Sequence, residues 1–135
     1  GGLAELARRL AAGELSPDFG PKELDERAGC VLVGARRPLI AFNVNLASSD
    51  IEAARAVAAV VRETGGGFPG VRALGLALPS KGLVQVSMNI EDPEAVALHE
   101  VVARVVAEAE ARGIAVAHSE LVGLMPASAA AAAAG

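Results

Sequence analysis

LIAFNVNL at residues 39–46 and LVQVSMNI at residues 83–90 share one pattern, an alternation of period two. Each therefore reads as a strand with one apolar and one polar face. The apolar set is Ile40, Phe42, Val44, Val84, Val86 and Met88, and the polar set is Asn43, Asn45, Gln85, Ser87 and Asn89. Asn suits turns and caps better than strands, and an ordinary wet sheet face recruits Thr, Lys, Arg and Glu. Neither strand carries a formal charge on its polar side. A row of neutral hydrogen-bonding groups on a rigid sheet suits a buried, hydrogen-bonded contact with a ligand or another domain. The plainer reading is a polar face that simply meets water.

The segments around these two strands complete a fold. A helix is expected from Ser49-Asp50-Ile51-Glu52, which has capping-box spacing, with Ile51, Ala54, Val57, Ala58 and Val61 on one face. Gly65, Gly66 and Gly67 end it as a C-cap and flexible link. A strand follows at 71–78, then a turn at Pro79-Ser80-Lys81-Gly82. Asp92-Pro93-Glu94 predicts the start of a second helix, whose inner face is Val96, His99, Val102, Val106 and Ala109. Residues 114–124 are the last strand. The order β-α-β-β-α-β is that of an α/β (α+β) ferredoxin-like sandwich, in which the first and third strands lie side by side mid-sheet. The two amide stripes then share the helix-free face. Ahead of this stand a helix (Leu3, Leu6, Ala7 and Leu10, stopped at Gly13), a long loop at 14–29 and a short extra strand at 30–33. Residues 127–135 are a low-complexity Ala tail.

Composition narrows the function. The 135 residues suit one compact domain, 53% of them are hydrophobic, and there is no Tyr or Trp, which opposes readings based on aromatic stacking. A net charge of −4 argues against nucleic acid and anionic membranes. No apolar run approaches the ~20 residues of a membrane span, and no signal peptide opens the chain. A single cysteine, Cys30, fits a reducing, cytoplasmic setting. The chain begins Gly1-Gly2 without Met, as a processed chain or a piece of a longer one would.

Catalytic signals are sparse. His99 reads as a packed core histidine. His118 stands beside Ser119 and Glu120, but neighbours along a strand point to opposite faces, so these three form no triad. No His, Cys, Asp or Glu spacing predicts a metal. Lys22, Arg27, Arg36 and Arg37 lie among acids, either as a solvated loop or as guidance for an anionic ligand, with Arg36 at a bend into the sheet.

Six ordered blocks resemble a known family: PDFGP (17–21), VGAR (33–36), LIAFNVNL (39–46), ALGL (73–76), QVSMN (85–89) and SELVGLMP (119–126). They are similar to those of the glutamate formimidoyltransferases, also called formiminotransferases, over residues 3 to 126. The resemblance implies the C-terminal subdomain of the transferase unit, following a connecting helix and folate-contacting loop at 1–29. It implies an enzyme that moves a formimidoyl group from N-formimidoyl-L-glutamate to tetrahydrofolate in histidine breakdown, with an upstream N-terminal subdomain as partner and no metal. The folate stretch falls on Gly20, Pro21, Lys22, Glu23, Leu24, Asp25, Glu26, Arg27, Ala28 and Gly29, and Arg36 joins it as a candidate. The family's general acid/base histidine belongs to the upstream subdomain, and neither His99 nor His118 matches it. The resemblance thus implies no catalytic residue within this chain. The reading allows a homodimer. The alternative is a free-standing ferredoxin-like binding or regulatory module without catalysis.

Overall fold

The computed structural model describes residues 2–25 and 27–134. It divides into two compact units, Gly1–Arg36 and Arg37–Gly135. In the first, helix α1 (Leu3–Ala11) is tied along its exposed side by Arg8, whose guanidinium meets Glu5 at 2.9 Å and Glu14 at 2.9 Å. Beyond it the chain has no further helix or ladder among the described residues. The extra strand expected at 30–33 is absent, because its amides find no partner strand within this unit. Val31, Leu32 and Val33 stand exposed there.

The second unit runs β1 (Ile40–Leu46), α2 (Ile51–Val61), β2 (Val71–Leu78), β3 (Leu83–Ile90), α3 (Leu98–Glu110), β4 (Val116–Val122) and α4 (Ala127–Ala134). The sheet order is β2-β3-β1-β4 with every neighbouring pair antiparallel, as the ferredoxin-like reading requires. Ile40, Val44, Val84, Val86 and Met88 are buried under the helices with Val71, Ala54, Val57, Val101 and Val105, and Phe42 is half-buried beside them. The register opposes Asn43 to Ser87 and Asn45 to Gln85, so period two puts all five polar residues on the other side. None of the described helices is long and apolar enough to cross a membrane.

Three local expectations need correction. The Asp92 carboxylate does accept from Glu94 N–H at 3.2 Å and Ala95 N–H at 3.3 Å, but it closes a single turn, and α3 restarts at Leu98 behind an uncapped Ala97. The inner stripe of α3 is consequently Leu98, Val101, Val105 and Ala109, and His99 is exposed rather than packed in the core. At the end of α2 the helix stops at Val61, and Gly65 and Gly67 fold back over it. A Cβ at Gly65 would run into the Ala59 carbonyl and one at Gly67 into the Val60 and Val61 carbonyls. These glycines mark close approach, not a flexible link. The Ala-rich tail forms α4 and rests on α3, with Ala129 against the core.

Candidate functional site

The helix-free face of the sheet is a grid of three rows read across β2, β3, β1 and β4. The first row is Leu76, Gln85, Asn45 and His118. The second is Leu74, Ser87, Asn43 and Glu120. The third is Arg72, Asn89, Ala41 and Val122. An irregularity between Asn45 and Leu46 in the β1–β4 pairing opposes Leu46 to Val116, while His118 stays opposite Asn45. The structure therefore brings Asn43, Asn45, Gln85, Ser87 and Asn89 together, and adds two residues that reading the strands one at a time did not connect to them. Their signal was available: 118 and 120 share the parity of one face, and this sheet order sets β4 beside β1.

The polar side chains bond to one another in a defined sense. Glu120 Oε1 accepts from Asn43 Nδ2 at 3.2 Å and from Gln85 Nε2 at 3.1 Å. Gln85 Nε2 also donates to Asn45 Oδ1 at 2.9 Å, and Asn45 Nδ2 lies 3.0 Å from His118 Nε2. An ionised carboxylate only accepts, so Gln85 must present its amide nitrogen. That nitrogen takes the Asn45 oxygen, and Asn45 is left to donate to the imidazole. Charge at one end of the network thus sets the tautomer at the other. Neutral His118 is expected to carry its proton on Nδ1, which long-range 15N–1H correlation spectra of the ring would read directly. A proton on Nε2 would overturn this polarity.

Burial and charge sharpen the picture. Asn45 has no exposed surface and Gln85 is 7% exposed, although no helix covers them, because central strands let side chains on both sides close over their neighbours. The Asn43 amide is the largest influence holding the Glu120 carboxyl below the usual carboxylate range, against partial desolvation, with Asn45 and then Lys81 and His118 adding smaller pushes the same way. Glu120 is therefore ionised at neutral pH. Alongside the polar groups, Leu74 is 62% exposed and Leu76 41%, and Val122 is open at the third row. β4 is covered little on either side.

In the first unit, the loop expected at 14–29 closes locally at its end, where Asp25 bonds to Arg27, Ala28 and Gly29. Asp25 Oδ1 accepts from Arg27 N–H at 2.8 Å and Ala28 N–H at 2.9 Å, and Gly29 N–H returns to the Asp25 carbonyl at 2.7 Å. The two amides, Ala28 first, hold the Asp25 carboxyl below its ordinary range. Gly29 closes the turn at φ +70°, a backbone that favours glycine. Lys22, Glu23 and Arg27 point into solvent, Leu24 is half-buried, and Glu26 lies outside the described residues. Arg36 ends this unit, exposed, while Arg37 opens the next and pairs with Glu94 at 3.0 Å. The Cys30 thiol is free and exposed.

Comparison with known proteins bears on this geometry. A family model described as the formiminotransferase domain matches residues 41–135. A glutamate formimidoyltransferase of Streptococcus pyogenes is 37% identical over 124 residues, covering 92% of this chain and 42% of the relative. One from Thermoplasma acidophilum is 35% identical over 122 residues, covering 90% and 40%. The formimidoyltransferase-cyclodeaminase of Sus scrofa is 41% identical over 127 residues, covering 90% and 23%. The chain thus spans less than half the length of these curated relatives.

Proposed function

Because this chain belongs to the formiminotransferase family, we propose that it is the C-terminal subdomain of a glutamate formimidoyltransferase. In this reading it helps bind tetrahydrofolate while a formimidoyl group moves to it from N-formimidoyl-L-glutamate, in the breakdown of histidine in the cytoplasm. The observation that carries the reading is the helix-free face. It presents linked carboxamides, Asn43, Asn45 and Gln85, bonded to Glu120 and His118 and framed by exposed leucines, which water alone does not call for and a covering partner does. The occupant is an upstream subdomain, as relatives more than twice this length would supply.

Division of labour follows from the chemistry. The transfer needs an amine nucleophile, a tetrahedral intermediate and proton movement between two nitrogens. This chain supplies positioning. The stretch at 20–29 offers the cations Lys22 and Arg27 toward folate, Arg36 adds a guanidinium for an anionic group, and the amide face holds the partner. Holding two substrates in register contributes up to roughly 7–11 kcal/mol toward a bimolecular barrier. Proton transfer falls to the upstream subdomain.

Calorimetric titration with tetrahydrofolate tests this, using the chain alone and the chain joined to the upstream portion of the Streptococcus pyogenes relative. The joined form should bind about 100-fold more tightly, because the partner pre-orders the loop and closes the face. Equal affinity in the two forms would favour a free-standing module, and no heat from either would refute folate binding.

A further inference from the structure

We propose that Glu120 is the anchor for a planar N–H cation brought to the helix-free face and, resting on the transferase reading above, that this cation is the protonated formimidoyl group of the donor. Glu120 carries a charge that no cation among the described residues contacts directly. Glu120 Oε1 is saturated by two neutral amides, from Asn43 and Gln85, which orient the carboxylate without cancelling its charge. Its other oxygen, Oε2, accepts no hydrogen bond among the described residues, and no ion pair to Glu120 forms there either.

Among the described residues no cation lies within ion-pairing distance of Glu120, although Lys81 and His118 both act on it from farther off. Arg72, at the far edge of the grid, is held by Glu91 at 3.2 Å. Lys81, in the turn between β2 and β3, acts on Glu120 only at a distance. His118 presents Nε2 to Asn45. β1 and β3 contribute no charged side chain. Left open to water, such a carboxylate costs little. Covered by an occupant, an unpaired charge costs several kcal/mol, so the occupant must bring a cation.

The surroundings select its shape. Val122 is the next residue of β4 on this face, and Leu74 stands at the far end of the Glu120 row, three strands away. Beside apolar side chains a planar, weakly hydrated cation is desolvated more readily than an ammonium, and it presents N–H groups along the carboxylate plane. An N-substituted formamidine is protonated at neutral pH and has this form. Its formyl analogue is an uncharged amide of the same outline. Glu120 would thus recognise the group to be transferred and reject the formyl compound, while the amide network keeps the carboxylate in place.

The test uses the chain as it stands, with neither folate nor an upstream portion, so its outcome is separable from that of the folate titration. Side-chain NMR of Glu120, Asn43 and Gln85 is followed as formamidinium chloride is added at constant ionic strength, with formamide as the uncharged control. Saturable shifts at these three residues are expected with formamidinium, absent with formamide, and weakened at least about tenfold in Glu120→Gln. Glu120→Asp, which keeps the charge but withdraws it by one methylene, should fall between the two. Equal response at the exposed Glu100 and Glu110, or a response that survives Glu120→Gln, would overturn the anchor. Methylguanidinium separates the two sources of such a cation. Binding about tenfold tighter than formamidinium would give the socket to a protein arginine and overturn the donor assignment. Formamidinium binding without folate binding would leave the anchor standing and remove the transferase reading.

Discussion

Gly75→Ala is expected to lower the melting temperature of the Arg37–Gly135 unit by roughly 10–20 °C, equivalent to about 2–3 kcal/mol in a domain of this size. Gly75 lies on the helix-covered side of β2, opposite Val86. A Cβ there would sit 2.7 Å from the Ala54 carbonyl carbon and 2.8 Å from Arg55 Cα, and closer still to the Arg55 amide nitrogen. All three are backbone atoms of α2, so no side-chain rotamer relieves the clash and the helix must lift from the sheet. The sign is diagnostic. Alanine in place of a strand glycine ordinarily gains about 0.5–1 kcal/mol from reduced chain entropy, and the Gly75 backbone is outside the left-handed region that would oppose it. Thermal and denaturant unfolding read the result, and a variant as stable as the parent would refute the close approach. The same contact explains the small residues Ala54 and Ala58 on the buried face of α2. They let its backbone come down onto β2, which carries the strand that completes the grid.

What the residues disclosed in advance, and what they hid, follows from the range of the forces involved. Alternation in β1 and β3 is a local signal reinforced on both faces, so the strands and their two faces were legible from it, and the order of the elements set the two strands side by side. The start of α2 was legible to within one residue: the spacing Ser49 to Glu52 spells a capping box, but the cap is Asp50, whose carboxylate accepts from Glu52 and Ala53 N–H within one turn. Asp92 carries the same local signal and misleads. Its acceptor groups are satisfied by one turn, and the burial of Val96 and Leu98 then sets where α3 begins. The phase error placed His99 inside. Gly65 and Gly67 look like a soft hinge in one dimension, and only the fold-back onto Ala59 and Val61 shows why nothing larger fits. The valines and leucine at 31–33 have strand composition, yet a strand exists only where a neighbour accepts its hydrogen bonds. At the site, the neutral stripe was visible, whereas Glu120 and His118 joined it through long-range contacts, with Gln85 35 positions from Glu120 and with Asn43 and Asn45 more than 70 positions from their partners.

A double-mutant cycle on the buried amides measures how tightly that network is built. Gln85→Met preserves length and removes both donors, so Asn45 Oδ1, with no exposed surface, loses its hydrogen bond. The cost is expected to be about 2 kcal/mol, the penalty for orphaning a buried acceptor. Asn45→Leu in the Gln85→Met background removes the orphan and replaces a polar group with an apolar one of similar branching. More than half of the lost stability should return, giving a coupling energy of about 1 kcal/mol or more. Glu120 tolerates both changes in stability terms, because Asn43 still donates to it and water reaches its free oxygen. Additive costs in denaturant unfolding would mean that Gln85 and Asn45 act independently and that burial alone explains their order. The recovered double variant then separates two roles that the wild type combines. It should fold nearly as well as the parent, yet present Glu120 without the Gln85 donor and His118 without the Asn45 amide. If it keeps its stability and loses the formamidinium response, the carboxamides serve the ligand rather than the fold, since an apolar pair would have sufficed to hold two central strands together.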